Sequence, residues 1–169
     1  EKPPSGITSV YAPSHKTMKQ VILEKAKKND IFISVAAISD YLPKKIAGKM
    51  KKTNTRVTLE LEKSDDILSE VSINYKNLFC VGFSAESEKI IKNSQAKLKN
   101  KKLDMIVANS IKESMGKEST EIYIIDHEGV TNIAKKNKKE LSQDILKHLC
   151  ELVKTKGAIH DLINWLQNS

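Results

Sequence analysis

The sequence predicts an α/β fold with a mostly parallel sheet, and two observations support this prediction. Three segments are apolar along their whole length instead of alternating, as expected of strands covered on both faces: Ile31–Ile38, Leu78–Phe83 and Met105–Ala108. Helical patterns lie between strand patterns, and the order strand, helix, strand is the unit from which parallel sheets are built. The length of 169 residues suits a single domain.

The N-terminal part of the chain alternates strand and helix patterns. Ile7–Tyr11 is predicted as a short strand, and Ser14–Lys28 as a helix because its apolar residues fall on one face. The strand Ile31–Ile38 follows and is ended by a polar, lysine-rich loop. Arg56–Glu62 alternates apolar and polar residues, which is the pattern of a strand with one wet face.

The middle of the chain combines a capped helix with a buried strand. Ser64 is predicted to cap a helix that ends near Tyr75, because Asp65 and Asp66 then lie at the positive end of its dipole. After the strand Leu78–Phe83 we expect a polar loop over residues 84–87 and then a helix that extends to about residue 102.

The C-terminal part is predicted to extend the sheet and to cover it. Glu121–Ile125 and Val130–Ala134 flank a plausible hairpin turn, and a loop over Ser114–Ser119 precedes them. Lys138–Thr155 is a strongly amphipathic helical pattern, and Ala158–Gln167 is predicted as a last short helix. No repeat or linker indicates a second domain.

The composition narrows the classes of partner. The net charge of +8 suits an anionic partner, but Arg56 is the only arginine and aromatic residues make up 5% of the chain. Base readout relies on arginine and single-strand binding on aromatic stacking, so nucleic acid is disfavoured. No stretch is long and apolar enough to span a membrane, and we expect no membrane partner and a cytoplasmic location. Cys80 and Cys150 are predicted to be reduced core residues.

The segment Ile31–Lys52 contains the most informative pattern, in which a buried strand runs into a polar turn and a lysine cluster. Ligands bind at the carboxyl ends of strands in open α/β sheets, where Asp40, Lys45 and Lys49 would then lie. A strand that merely ends in a solvated loop has the same pattern. Sequence motifs of the common hydrolase, zinc and P-loop mechanisms are absent.

Two lysines of the helix after Phe83 add a second cationic feature. Lys97 and Lys101 are four residues apart, so their ammonium groups share a helix face and repel each other unless an anion lies between them. A triphosphate is such an anion, and a solvated face is the alternative. Phe83 could stack on a base or ribose, or belong to the core.

Six segments in matching order and spacing then identify a family. They are Ala36-Ala37-x-x-Asp40-Tyr41, Lys49-x-Lys51-Lys52, Asp66-Ile67-Leu68, Val81-Gly82-Phe83-x-Ala85-Glu86, Lys97-x-x-x-Lys101-x-x-x-Asp104 and Ala108-Asn109. The chain resembles phosphopantothenate–cysteine ligase, which in most bacteria is the C-terminal half of a bifunctional protein of coenzyme A biosynthesis. The resemblance implies a modified Rossmann-like three-layer fold with a β extension for dimerisation. It covers residues 1–156, with residues 157–169 as a helical extension.

The resemblance also implies a reaction and its cofactors. The carboxylate of 4′-phosphopantothenate attacks the α-phosphate of CTP, giving an acyl-cytidylate and pyrophosphate; the amine of L-cysteine then displaces CMP. CTP is thus a co-substrate and Mg²⁺ the expected metal, with no protein ligands assigned to it. FMN belongs to the decarboxylase half, which is absent from this sequence.

The implied site residues come from several parts of the chain. Lys49 would be the catalytic lysine, within a mobile flap over residues 49–54. Asn109 would support the site. The residues implied to bind nucleotide or acyl intermediate are Ser34, Val35, Ala36, Asp40, Asp65, Asp66, Ile67, Leu68, Phe83, Lys97 and Lys101. Ser64-Asp65-Asp66 stands where the family usually has Asn-Pro-Asp.

The sequence also departs from the family at its start. The family's first strand, its glycine-containing turn and its Asn-x-Ser-Ser-Gly segment have no counterpart here, so we expect this chain to be the larger part of the ligase domain and inactive alone. The family acts as a dimer, for which Arg56–Glu62 and Glu121–Ala134 are the candidate strands; a higher oligomer would form through the decarboxylase half. The alternatives are a nucleotide-binding Rossmann module without ligase activity and a lysine-rich nucleic-acid binder.

Overall fold

Helices and strands alternate along most of the protein, whose computed structural model describes residues 5–48 and 56–155. In chain order the elements are α1 (His15–Ala26), β1 (Ile31–Ser34), β2 (Tyr41–Pro43), β3 (Leu61–Lys63), α2 (Ile67–Asn74), β4 (Phe79–Glu86), α3 (Ile90–Asn100), β5 (Met105–Ser110), α4 (Ile111–Ser114), β6 (Ser119–Asp126), β7 (Val130–Asn137) and α5 (Lys138–Thr155). The helices and strands thus follow the predicted α/β order over most of the chain.

A five-stranded sheet with the order β1-β4-β5-β6-β7 forms the centre of the protein. β4 is parallel to both β1 and β5, whereas β6 is antiparallel to β5 and β7. All strands of this sheet except β6 therefore run in one direction. The predicted α/β fold with a mostly parallel sheet and a β extension is confirmed.

Helices cover both faces of this sheet, and an apolar cluster fills each interface. Cys80 of β4 packs with Val71 of α2 and Leu98 of α3 on one face. The next residue, Val81, points to the other face and packs with Leu149 of α5. Because successive residues of a strand point to opposite faces, an unbroken apolar strand such as β4 supplies both clusters. The result is the predicted three-layer arrangement.

The first strand of the sheet differs from its prediction. The apolar pattern predicts a strand over Ile31–Ile38 that is covered on both faces, but β1 ends at Ser34 and Ile33 is 39% exposed. Among the described residues β1 pairs only with β4, so it is an edge strand. The apolar run alone could not distinguish an edge strand from a central one.

Two further predicted strands do not form as expected. Residues 7–11 form no strand, and the apolar side chains there are exposed because no neighbouring strand among the described residues pairs with them. Of Arg56–Glu62, only Leu61 and Glu62 enter a strand, β3, which pairs with β2 in a separate two-stranded sheet. The alternation there does not mark a buried face, since Val57, Leu59 and Leu61 are all exposed.

The start of α2 and the end of β4 also need correction. Asp66 caps α2, because its Oδ1 accepts a hydrogen bond from the Ser69 amide at 3.0 Å, whereas Ser64 was predicted as the cap. β4 continues through Glu86 into the predicted loop, because Glu86 still pairs with Ser110 of β5.

The C-terminal elements agree closely with the sequence. β6 and β7 form the predicted hairpin, and α5 covers Lys138–Thr155 as predicted. The predicted helix over Ala158–Gln167 lies outside the described residues. Within residues 5–48 and 56–155, no helix has the length and apolar content needed to cross a membrane.

Candidate functional site

A groove with a volume of about 480 Å³ lies at the carboxyl ends of β1 and β4. This edge of a parallel sheet is where α/β proteins bind ligands. The lining residues come from the end of β1 and the loop after it, from the turn before α2, and from β4 and α3. They are Ser34, Ala36, Ala37, Ile38, Ser39, Asp40, Lys63, Ser64, Asp65, Asp66, Ile67, Leu68, Phe83, Lys97 and Lys101.

Most of the predicted binding residues lie in this one groove. Its lining includes Ser34, Ala36, Asp40, Asp65, Asp66, Ile67, Leu68, Phe83, Lys97 and Lys101. Val35 is exposed beside the groove without lining it, and Asn109 is half-buried on β5, paired in register with Ala85 of β4. The predicted catalytic lysine, Lys49, and its flap lie outside the described residues.

The small β2–β3 sheet brings two distant segments together at the groove. Tyr41 pairs with Lys63, and next to this pair the Ser64 amide donates to the Asp40 carbonyl at 2.9 Å. The Ser64 hydroxyl donates to the Ser39 carbonyl. The loop after β1 and the turn before α2 therefore form one continuous wall. Sequence analysis did not include Ser39, Lys63 and Ser64 in the site, because this pairing register is not visible in the sequence.

Two side chains of helix α1 contact the turn before α2 and hold it in place. His15 Nε2 lies 3.0 Å from the Asp65 carbonyl oxygen, and Lys19 Nζ lies 2.7 Å from Asp65 Oδ2 and 2.8 Å from Glu70 Oε2. The hydrogen bond from Lys19 lowers the pKa of Asp65. These contacts fix the position of the Ser64-Asp65-Asp66 turn.

Lys97 of α3 and Lys101, which directly follows α3, each form an ion pair with a different carboxylate. Lys97 Nζ lies 2.6 Å from Glu86 Oε1, and Lys101 Nζ lies 2.8 Å from Asp66 Oδ2. In addition to the bridging anion and the solvated face considered from the sequence, the structure provides a protein carboxylate for each lysine. The sequence analysis missed these pairs, although Glu86 lies within one of the matching motifs.

The two carboxylates are held in their charged form by these partners. Burial by itself would raise the pKa of Asp66, but hydrogen bonds from Lys101 and Ser69 outweigh it and the pKa is lowered. Burial acts in the same way on Glu86, and hydrogen bonds from Lys97, Ser84 and Asn93 lower its pKa. The groove thus has charges of both signs, with cations that are already oriented.

Phe83 and Gly82 are neighbouring residues of β4 that affect the groove in different ways. Phe83 is 39% exposed and lines the groove, so its ring is available to a ligand. Gly82 is buried, and a Cβ atom there would lie 2.8 Å from Leu103 Cδ1 and 3.1 Å from Leu68 Cδ2. Glycine therefore lets α2, which carries Leu68 of the groove wall, pack closely against the strand.

The fold and the groove define the class of protein: an α/β protein with a groove at the carboxyl ends of its parallel strands, lined by oriented lysines suited to an anionic ligand. Within this class, the chain belongs to the family described as the DNA/pantothenate metabolism flavoprotein C-terminal domain, whose model matches residues 1–153. The resemblance deduced from the sequence motifs is thereby confirmed.

Individual relatives agree with this family. The chain is 33% identical over 153 residues to the coenzyme A biosynthesis bifunctional protein CoaBC of Borreliella burgdorferi, covering 88% of this chain and 39% of that protein. It is 34% identical over 157 residues to the protein of the same name from Vibrio parahaemolyticus, covering 89% and 39%. The chain thus spans about two fifths of the length of the curated relatives it matches.

A solved structure supports the same assignment. The crystal structure of the C-terminal domain of a coenzyme A biosynthesis bifunctional protein CoaBC matches with a TM-score of 0.76 and 26% identity, over 92% of this chain and 70% of that one. The similarity thus extends over nearly the whole chain.

Proposed function

We propose that this chain is the larger part of a phosphopantothenate–cysteine ligase domain, which joins 4′-phosphopantothenate to L-cysteine with CTP and releases CMP and pyrophosphate. The observation that supports this most strongly is the groove, in which Asp40, Phe83, Lys97 and Lys101 meet from separate parts of the sequence. Family membership and the names of the relatives give the pathway.

The chemistry of the first step suits such a groove. The carboxylate oxygen of phosphopantothenate forms a bond to the α-phosphorus of CTP while the bond to the pyrophosphate leaving group breaks. Both reactants are anions, so catalysis depends on positioning and on cations placed where charge develops. We assign Lys97 and Lys101 to the nucleotide phosphates and Phe83 to the base or ribose.

The remaining groove residues would hold the nucleotide and the acyl intermediate. Ser34, Val35, Ala36 and Asp40 would contact them from the end of β1, and residues 65–68 from the start of α2. Lys49 would act near the reacting centre, and Asn109 would support the end of β5. The amine of L-cysteine then attacks the acyl carbon and CMP leaves.

The lysine–carboxylate pairs leave both ammonium groups able to bind a phosphate. Lys97 and Lys101 are each bound to a protein carboxylate while still partly exposed to the groove. An ammonium group has three N–H donors, so a phosphate oxygen can bind without displacing the carboxylate. The lysines therefore need little reorganisation when the nucleotide enters.

Mg²⁺ would fit this groove as a companion of the nucleotide. Within the described segments, no group of three or more His, Cys, Asp and Glu side chains is arranged to hold a metal. Mg²⁺ is commonly held by phosphate oxygens with one or two carboxylates. Asp65 and Asp66 are paired with lysines, whereas Asp40 forms no ion pair with another described residue, so Asp40 is the available carboxylate.

Pyrophosphate release by the full-length protein tests this function. Sustained release over many turnovers should require CTP, 4′-phosphopantothenate and L-cysteine together, with CMP appearing in equal amount, whereas without L-cysteine release should stop at about one pyrophosphate per site. A purified, folded full-length protein that binds CTP without this turnover would instead be the nucleotide-binding module without ligase activity. Salt-dependent binding to duplex DNA with no response to CTP would favour the nucleic-acid binder.

The choice of CTP over ATP is a separate proposal. We place base recognition at the turn of residues 64–66, which lines the groove and is held by His15 and Lys19. Competition between CTP and ATP in the same pyrophosphate assay measures this preference. Equal kcat/KM for the two nucleotides would contradict it.

We also propose features of the whole protein from the relatives. They are called bifunctional and the chain matches 39% of their length, so we infer an FMN-dependent phosphopantothenoylcysteine decarboxylase half. The exposed apolar residues of β2 and β3 and the edge strand β7 suit a homodimer. Light scattering of the full-length protein would measure its oligomeric state.

A further inference from the structure

Glu86, the last residue of β4, holds a largely buried side chain beside the groove. Its side chain is 12% exposed, whereas most glutamate side chains in proteins are solvated. Oε1 accepts from Lys97 Nζ at 2.6 Å and from the Ser84 hydroxyl at 2.5 Å, and Oε2 accepts from Asn93 Nδ2 at 3.3 Å. Three donors from β4 and α3 thus converge on a single carboxylate.

This arrangement determines where the Lys97 ammonium group lies. Lys97 Nζ donates to Glu86 Oε1 and also lies 3.2 Å from Ser84 Oγ, so two anchors on β4 fix its position. A free lysine side chain samples many rotamers, and holding it in one place removes that entropy loss from ligand binding. The third N–H of the ammonium group remains for a ligand in the groove.

We propose that Glu86 is a positioning residue: together with Ser84 and Asn93 it holds Lys97 in the orientation that receives a phosphate of the nucleotide. This proposal rests on the proposed function, because it takes CTP as the ligand of the groove. Glu86 does not line the groove itself. It acts on the ligand only through Lys97.

The burial and hydrogen bonding of Glu86 explain why it can do this at neutral pH. Burial alone would raise its pKa, but the hydrogen bonds from Lys97, Ser84 and Asn93 lower it, so the carboxylate stays charged. When a phosphate oxygen also binds Lys97, Ser84 and Asn93 still satisfy the carboxylate. The pair therefore does not have to break for the ligand to bind.

The test uses Glu86→Gln in the full-length protein, since glutamine keeps the size of the side chain and removes its charge. Calorimetry with CTP and Mg²⁺ should show affinity about tenfold weaker than wild type, the equivalent of one charge-assisted hydrogen bond. Asp144→Asn is the matched control, because it removes the 2.8 Å Lys136–Asp144 ion pair away from the groove. It should leave CTP affinity unchanged.

A double-mutant cycle distinguishes positioning from a general structural role. In the Lys97→Ala background, Glu86→Gln should change CTP affinity less than twofold, because there is no ammonium group left to orient. A loss of affinity as large as in the wild-type background would overturn the proposal. So would an unchanged affinity of Glu86→Gln itself.

A labelling experiment tests the Glu86–Lys97 contact without any nucleotide. Acylation of Lys97 by a water-soluble active ester, followed by mass spectrometry, should be severalfold faster in Glu86→Gln and unchanged in Asp144→Asn. An unchanged rate in Glu86→Gln contradicts the positioning role. Faster labelling in a protein that neither binds nor turns over CTP would sink the proposed function while keeping Glu86 as the residue that orients Lys97.

Discussion

Charged side chains have different environments at the two ends of the parallel strands. The side of the sheet with their carboxyl ends is called the carboxyl edge, and the opposite side the amino edge. At the carboxyl edge, Lys97 and Lys101 are paired yet still partly exposed to a groove. At the amino edge, Asp126 is 4% exposed and accepts from His148 Nε2 at 2.7 Å and from the Glu128 and Gly129 amides at 2.7 and 3.1 Å. That edge has a depression of about 190 Å³ with a largely apolar lining.

The carboxylate of Asp126 is almost fully buried, whereas the ammonium groups of Lys97 and Lys101 lie on partly exposed side chains. The partners of Asp126 come from the hairpin turn and from α5, so the cluster joins these elements and engages the carboxylate with three hydrogen bonds. In the groove, Lys97 and Lys101 each form an ion pair with one carboxylate and have N–H donors left for a ligand. We therefore expect substitutions at the carboxyl edge to affect ligand binding, and substitutions at the amino edge to affect stability.

Lys101→Met in the full-length protein should have the largest effect. Under the proposed function Lys101 stabilises developing charge on the phosphates, so removing this cation should lower CTP-dependent turnover about 100-fold. The free energy of unfolding should change little, because Lys101 is partly exposed and Asp66 keeps its hydrogen bonds from Ser69. Pyrophosphate release and urea unfolding measure the two quantities. Lys99→Met on the exposed face of α3 is the control; if it lost as much activity, the assignment of Lys101 would be wrong.

His148→Ala should show the reverse behaviour. It leaves the buried Asp126 Oδ2 without its side-chain partner, which should lower the free energy of unfolding by about 2 kcal/mol. Turnover at 25 °C should stay near the wild-type value. His127→Ala removes an exposed histidine of the same turn and serves as the control in urea unfolding. Equal losses in the two variants would show that the His148–Asp126 bond contributes nothing specific.

The smallest expected effect concerns the pH dependence of Asp66. Because its folded pKa is lowered from 3.8, its charge stabilises the fold above that value, and this contribution is lost as pH falls through the folded pKa. Asp66→Asn keeps the helix cap but removes the charge. Its deficit in unfolding free energy should be less than about 1 kcal/mol at pH 7, since the pair is solvent-screened. Unfolding curves from pH 7 to pH 3 should show this deficit shrinking below pH 4; a constant deficit would contradict it.

Sequence and structure agree best where a local pattern of residues is enough to predict a helix or strand. α5 matches its prediction because an amphipathic stripe needs only one apolar surface to cover. The family resemblance implied most of the groove residues, and they meet because the carboxyl ends of neighbouring parallel strands lie together. The strand Ile31–Ile38 was predicted too long and too buried, because an apolar run does not reveal whether a strand has neighbours on both sides.

The sequence by itself determined the α/β class and the hairpin extension, because these depend on residue order and periodicity. Its motifs showed the resemblance to the family, and that resemblance implied most of the groove residues. Only the tertiary structure decided which charges pair. Glu86 reaches Lys97 because β4 continues beyond its apolar core and α3 packs back across it, and Ser64 reaches Ser39 through the register of β2 and β3. Such contacts join residues distant in sequence, and their distances depend on how whole elements pack.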